Sequence, residues 1–190
     1  MANNNFVSKR VFLKNVRLDW PKLDEPKADF GGEPKYQATF IMTPDSESAQ
    51  NTMAAIKEVA AQFFGDRARE VMVGNAVPLH KGDAGKDGYD GMVYIKAKSK
   101  NRPELVGAKP TQKYTEALEI RNDFRPGNYV NAYITVFAYD KGSRGVAAML
   151  DAVQFRSAGE SLMGGGSFDF PDESGSAGAA SFDFEDDTPF

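Results

Sequence analysis

The sequence predicts a mainly β domain that contains one long helix and is followed by an acidic C-terminal segment. Apolar and polar residues alternate with a period of two in most segments between residues 10 and 155, whereas residues 44–64 have helical spacing. After Arg156 the composition turns to glycine, serine and acidic residues. Alternation is typical of strands with one buried face, so the strands dominate the prediction.

Five segments are predicted as strands. The first, residues 10–20, places Val11 and Leu13 on one parity and then moves its apolar residues to the other, so a bulge is predicted near Lys14–Asn15. Trp20 falls on the apolar parity and is predicted to lie in the core. The other strands are predicted over 35–42, 92–100, 128–139 and 145–155, the last two forming a hairpin, with long connections over 21–34 and 101–116.

One helix is predicted from about residue 44 to residue 64. Thr43 is a suitable N-cap and Pro44 is tolerated in the first turn, where its missing N–H has no partner to lose. Apolar residues then recur at helical spacing until Gly65, and residues 66–72 are expected to add a further turn.

The residue types argue against most catalytic chemistry. The 190 residues include no cysteine and one histidine, His80, so there is no thiol nucleophile, no thiolate metal site and no second histidine for a zinc site. No enzymatic activity, cofactor or metal is therefore expected. The N-terminal residues lack a signal-peptide pattern and no apolar run is long enough to span a membrane, so we expect a cytoplasmic protein with no membrane partner.

Charge divides the chain into two unlike parts. Residues 160–190 contain eight of the 27 acidic residues and none of the 23 basic ones, which leaves residues 1–159 with a net charge of +4 and the last 31 with −8. We therefore predict a folded domain over 1–158 and a flexible Gly/Ser linker with an acidic tail over 159–190. A basic body beside an acidic tail indicates a nucleic acid or another polyanion as partner.

The outward faces of the third and fourth predicted strands carry aromatic and basic side chains. The first of these faces presents Tyr94, Lys96, Lys98 and Lys100, with Arg102 directly after it. The second presents Tyr129, Tyr133, Phe137 and Tyr139, and Arg125 lies just before it. Aromatic rings that stack on unpaired bases, together with cations for the phosphates, are typical of proteins that bind single-stranded nucleic acid without sequence preference. The alternative is that the helix, a loop or a second subunit covers these aromatic residues.

The C-terminal segment combines acids with aromatic residues. It ends Ser-Phe-Asp-Phe-Glu-Asp-Asp-Thr-Pro-Phe, and solubility alone would not require its phenylalanines. The tail is predicted to bind a pocket with a basic rim on another protein. The residues predicted to make that contact are Asp183, Phe184, Glu185, Asp186, Asp187, Pro189 and Phe190.

Two resemblances extend this interpretation. The last eight residues resemble the acidic terminus with which bacterial single-stranded-DNA-binding proteins recruit replication and repair enzymes. Residues of about 8–160 resemble a family of tailed-phage single-stranded-DNA-binding proteins through four motifs: Gly32-Glu-Pro-Lys-Tyr36, Lys98-Ser-Lys-Asn-Arg-Pro103, Pro126-Gly-Asn-Tyr-Val130 and Tyr139-Asp-Lys-Gly-Ser-Arg-Gly-Val146. This second resemblance implies an OB-fold, a five-stranded and partly open barrel.

Taken with these resemblances, the sequence predicts binding and protection of single-stranded DNA during phage replication, recombination or repair, in the host cytoplasm if the protein is phage-encoded. The tail is expected to recruit replication proteins and to compete with DNA. Three alternatives remain open: a protein-assembly adaptor that uses the aromatic face, a strand-annealing protein, and a metal-dependent nuclease built on Asp83, Asp87 and Asp90.

Overall fold

A computed structural model describes residues 6–28, 31–73 and 76–162 of the chain. Its strands are β1 (Ser8–Lys27), β2 (Lys35–Met42), β3 (Leu79–Lys81), β4 (Val93–Ser99), β5 (Glu104–Val106), β6 (Tyr129–Tyr139) and β7 (Gly145–Ser157). Its helices are α1 (Glu47–Phe64), α2 (Ala68–Val73) and α3 (Ala117–Asp123), with a 3₁₀ turn at Gly65–Arg67. The predicted partner-binding residues 183–190 lie outside the described residues.

Five of the strands form a closed barrel. Neighbouring strands follow the order β4-β2-β1-β6-β7, and a parallel pairing of β4 with β7 at Lys98 and Met149 closes the ring. Strands β3 and β5 extend the sheet outside this ring, on β4 and β7 respectively. The arrangement confirms the predicted mainly β fold and is consistent with an OB-fold.

Strand β1 has irregularities in its pairing, and at two of them lies a residue with a left-handed backbone angle. Asn15 (φ +52°) lies where the pairing with β6 shifts register between Leu13 and Val16, which is where the bulge was predicted. Trp20 (φ +46°) lies where the pairing with β2 shifts between Asp19 and Lys22. The strand then continues to Lys27, so the predicted loop over 21–34 is shorter than expected.

The core is built from the inward positions that alternation predicts. On β6 these are Val130, Ala132, Ile134, Val136 and Ala138, all of which are buried. One side of α1 packs against β1, β6 and β7 and contributes its buried residues to the same core. The outward faces of β4 and β6 therefore rest on a buried hydrophobic core.

The main helix starts later than predicted. Ser46, and not Thr43, is the N-cap, because its hydroxyl accepts a hydrogen bond of 3.2 Å from the Ala49 N–H. Pro44 therefore lies in the turn that precedes α1. The additional turns after Gly65 are present as the 3₁₀ turn and α2, whereas the short elements β3, β5 and α3 were not predicted.

Candidate nucleic-acid interface

A groove lies on the outer side of β2 and β4, and we call it the tryptophan groove. Its volume is about 400 Å³. It is lined by Trp20, Gln37, Ala38, Thr39, Asp83, Lys86, Tyr89, Tyr94, Lys96 and Lys98. The groove thus contains three aromatic residues and three lysines.

The floor of the tryptophan groove follows from the pairing of β2 with β4. Gln37 is opposite Lys98 and Thr39 is opposite Lys96, so these four side chains share the outward face of neighbouring strands. The two lysines are exposed, and the ammonium group of Lys96 lies 5.7 Å from the centre of the Tyr94 ring. The floor of the groove is therefore basic, and the Tyr94 ring lies at one end of it.

Trp20 forms one wall of the groove, and the prediction that it lies in the core is wrong. Its side chain is 61% exposed. The left-handed backbone at Trp20 interrupts the alternation of β1, and Leu23 is the next buried apolar residue after Leu18. The Trp20 N–H donates a hydrogen bond of 2.9 Å to the Asp19 carboxylate, which supports this unusual conformation.

The loop between β3 and β4 forms a second wall and contributes Asp83, Lys86 and Tyr89 to the lining. The Asp19 carboxylate holds it in place, accepting hydrogen bonds from the Tyr89 hydroxyl at 2.5 Å and from the Lys86 ammonium at 3.0 Å. The same ammonium lies 3.8 Å from the centre of the Tyr89 ring and 5.5 Å from that of Trp20. Burial and the hydrogen bond to Asp19 raise the pKa of Tyr89, so its hydroxyl remains a donor.

His80 lies beside the groove floor. It is opposite Tyr94 in the pairing of β3 with β4, and the two ring centres are 5.4 Å apart. Burial and the neighbouring Lys96 charge lower the pKa of His80 below its ordinary value of 6.5. The imidazole is therefore neutral at pH 7, and the positive charge beside it comes from the lysine.

Five of the ten predicted nucleic-acid-binding residues lie in or next to this region. Tyr94, Lys96 and Lys98 line the tryptophan groove, while Lys100 and Phe137 line a second groove on the other side of β4. The Lys100 ammonium pairs with the Glu33 carboxylate at 2.6 Å, and this contact lowers the pKa of Glu33.

Tyr133 lies on a different side of the barrel. It is 46% exposed and packs against Phe12, which is 40% exposed, with ring centres 4.9 Å apart. Both rings line a cavity of about 330 Å³ with Pro110 and Gln154, away from the lysines of β4. The structure therefore separates Tyr133 from the tryptophan groove.

The four other predicted residues are dispersed. Arg102 donates to the Thr115 carbonyl at 2.9 Å, and Arg125 lines a small depression next to α3. Tyr129 is opposite Arg17 in the pairing of β1 with β6. The Tyr139 ring centre is 6.5 Å from that of Phe137, at the edge of the second groove.

The chain beyond β7 contacts β1 and the loops before β4 and β6. Gly159 donates to the Asn128 side chain at 3.2 Å, and Arg17 donates to the Glu160 carbonyl at 2.7 Å. A side chain on Gly88 would collide with Leu162, so the two segments are in close contact. We call residues 158–162 the strap, and it brings the start of the C-terminal segment next to the loop that carries Lys86 and Tyr89.

The described part of the chain contains neither a cluster of metal-ligating side chains nor a helix suited to cross a membrane. Among residues 6–28, 31–73 and 76–162, no three His, Asp or Glu side chains come together in a way that could hold a metal ion, so Asp83, Asp87 and Asp90 form no such group. None of the helices within these ranges combines the length and the hydrophobicity that a membrane crossing requires.

Comparison with known proteins places this geometry in a family. Residues 9–180 match the family described as Enterobacter phage Enc34, ssDNA-binding protein. The chain belongs to this family. The predicted resemblance of the body to phage single-stranded-DNA-binding proteins is thereby confirmed.

A sequence relative and two solved structures support the assignment to the Enc34 family. Protein p50 of Acyrthosiphon pisum secondary endosymbiont phage 1 is 35% identical over 168 residues, which cover 83% of this chain and 88% of p50. The bacteriophage Enc34 single-stranded DNA-binding protein, solved in complex with ssDNA, is similar with a TM-score of 0.71 and 25% identity, covering 80% of this chain and 88% of that one. The single-stranded DNA-binding protein gp2.5 of bacteriophage T7 shares the fold, with a TM-score of 0.57 and 15% identity, over 90% of this chain and 98% of gp2.5.

Three residues of the groove in this Enc34 family member were missed by sequence reasoning. They are Trp20, Lys86 and Tyr89. For Lys86 and Tyr89, the sequence offered one signal: both lie in the segment Gly82–Gly91, which is rich in glycine and aspartate and is typical of a loop. A large aromatic residue in such a loop is a reason to examine it for binding.

Proposed function

We propose that this Enc34 family member binds single-stranded DNA without sequence preference and has no enzymatic activity. The observation that carries the proposal is the tryptophan groove, in which an exposed indole and Tyr94 lie among the ammonium groups of Lys86, Lys96 and Lys98. The similarity to a protein that was solved in complex with ssDNA supports it.

The chemistry of the groove favours an unpaired strand. Bases outside a duplex expose their faces, and each base that stacks on an aromatic ring contributes about 1–3 kcal/mol. Every base has such a face and every phosphate carries the same charge, so Trp20, Tyr94 and the lysines do not distinguish one sequence from another. The strand would stack bases on the two rings and place phosphates on the lysines.

The other residues predicted to bind nucleic acid lie outside the tryptophan groove. Lys100 and Phe137 lie on the far side of β4, where a longer strand would reach them. The remaining predicted residues lie outside the tryptophan groove and are proposed to contact DNA only beyond it; they are Arg102, Arg125, Tyr129, Tyr133 and Tyr139.

The family and the sequence of the tail support a proposal about the biological setting. We propose that the protein covers and protects single strands during phage DNA replication, recombination or repair in the bacterial cytoplasm. The acidic residues 183–190 would recruit a replication or recombination protein and would also compete with DNA for the lysines. The strap supports the proposed competition with DNA, because it places the beginning of the C-terminal segment beside the loop that carries Lys86.

The proposal is tested by titrating a fluorescently labelled oligo-dT with the full-length protein and following anisotropy. We expect Trp20→Ala to weaken binding by about fivefold or more, because one stacking contact is lost. Lys57→Gln, an exposed lysine on α1, is the matched control and should bind as the unaltered protein does. Unchanged affinity in Trp20→Ala, or absence of binding by the unaltered protein, would overturn the proposal.

A second candidate function rests on the exposed ring pair of Phe12 and Tyr133. Two aromatic side chains exposed together on the barrel surface are typical of protein interfaces. If the protein acts as an assembly adaptor, Phe12→Ala would abolish association with a partner protein and leave DNA binding intact. The ring pair and the tryptophan groove lie on different sides of the barrel, so comparing Phe12→Ala with Trp20→Ala separates the two candidates.

A further inference from the structure

A second groove lies where the barrel closes between β4 and β7. Its volume is about 560 Å³, and Phe137, Met149 and lysines of β4 are among its lining residues. The two strands pair only at Lys98 and Met149 within the described part of the chain, so the surface is open on either side of that contact. We call this site the seam groove.

The two grooves share lysines. Lys96 and Lys98 line the tryptophan groove from one side and the seam groove from the other. They project from β4, which forms the ridge between the two grooves. A phosphate held on this ridge has an aromatic binding surface on each side of it.

The seam groove also has the composition that a nucleotide requires. Its aromatic member, Phe137, stacks on Phe6 at 6.0 Å, and Phe6 is itself 68% exposed. Its apolar floor includes Ala147 and Met149, and its rim carries Lys35 and Lys100. Apolar rings beside several ammonium groups fit a base with its adjoining phosphates better than they fit an uncharged ligand.

We propose that a single strand held in the tryptophan groove crosses β4 and places further bases on Phe137 in the seam groove. This inference rests on the proposed function and adds the length and course of the bound strand. From Trp20 on β1 to Phe137 on β6 the path crosses β2, β4 and β7, which is about 19 Å at the usual spacing of strands. A stacked strand with about 3.4 Å per nucleotide needs about six nucleotides to cover that distance.

The inference can be tested with the chain's only tryptophan as the probe. Trp20 is the single tryptophan in the sequence, and stacking of a base on its exposed ring should quench its fluorescence. Oligo-dT of 3 and of 12 nucleotides are titrated into the unaltered protein and into Phe137→Ala. The trinucleotide is too short to occupy both grooves, whereas the longer oligonucleotide can reach both.

We expect Phe137→Ala to weaken binding of the 12-nucleotide strand by about fivefold or more and to leave the trinucleotide affinity unchanged. Phe137→Leu keeps an apolar side chain against the barrel but removes the ring, so it should behave in the same way if stacking is responsible. Lys57→Gln on α1, an exposed residue outside both grooves, is the control and should bind both lengths normally.

The outcomes separate the inference from the proposed function. Unchanged binding of the longer strand in both Phe137 variants would overturn the inference and leave the seam groove to a protein partner. An equal loss for both lengths would overturn it as well, because it would indicate a general disturbance of the barrel. Absence of quenching by either oligonucleotide in the unaltered protein would instead contradict the tryptophan groove itself.

Discussion

The Asp19 carboxylate accepts a hydrogen bond of 2.5 Å from the hydroxyl of Tyr89, which lies 70 residues further along the chain. The same carboxylate binds Lys86 and the backbone of Trp20. One buried acid, 5% exposed, therefore connects the two walls of the tryptophan groove. The shape of the groove depends on this residue although Asp19 would repel a phosphate.

We expect Asp19→Ala to lower the free energy of unfolding by about 1–3 kcal/mol, because the buried Tyr89 hydroxyl would lose its acceptor. Asp19→Asn keeps an acceptor oxygen and should cost less. Denaturant unfolding of both variants and of Tyr89→Phe checks this. Equal stability of Asp19→Ala and the unaltered protein would show that the carboxylate does not hold the loop.

The lysines of β4 should determine the response of DNA binding to salt. Each phosphate contact on a single strand contributes about 0.7 to the slope of log K against log salt concentration, because bound counterions are released. The double variant Lys96→Gln/Lys98→Gln should therefore reduce the slope by about 1.4. Affinities measured between 50 and 200 mM salt give the slope. Lys57→Gln on α1 should leave it unchanged, and an equal change in both variants would contradict the assignment.

Removal of the C-terminal segment should tighten DNA binding. Truncation after Leu162 keeps the strap and removes seven acids, which we propose compete with DNA for the same lysines. We expect a several-fold gain in affinity at 50 mM salt that disappears at high salt, because the competition is electrostatic. Full-length protein with Asn or Gln in place of these acids is the control for chain length. Weaker binding after truncation would contradict tail competition.

Binding should become tighter as the pH falls from 7 to 5. Burial and the Lys96 charge hold the pKa of His80 below 6.5, and a phosphate next to Lys96 would offset that charge. The pKa of His80 would then rise on binding, so binding takes up protons and gains affinity at acid pH. Because His80 is the only histidine, His80→Gln should remove this pH dependence, and its persistence in that variant would exclude His80 as the cause.

Alternation in the sequence predicts which residues face inward, and it does so well on β4 and β6. It does not predict where on a closed barrel an outward face points. Tyr133 and Lys96 both face outward, yet their strands are two positions apart in a ring of five, so their side chains reach different surfaces. The shared aromatic and basic face expected from the sequence is for this reason divided between two sides.

The wall residues escaped prediction for another reason. The outward position of Trp20 depends on a single left-handed backbone residue, which leaves no trace in the spacing of apolar residues. The position of Lys86 depends on a contact with Asp19 across 67 residues of sequence. Local patterns carry no information about such pairings, whereas residues such as Lys98, fixed by the alternation of one strand, could be found.

The course of β1 has a consequence for synthesis of the protein. The second half of β1 pairs with β2, which follows soon after it in the chain. The first half of β1 pairs with β6, so Phe12 can pair with Tyr133 only after β6 has been synthesised. Pairings that distant in sequence form late. A ribosome must therefore synthesise β6 and β7 before the barrel can close, and the emerging chain lacks the closed barrel until its translation is nearly finished.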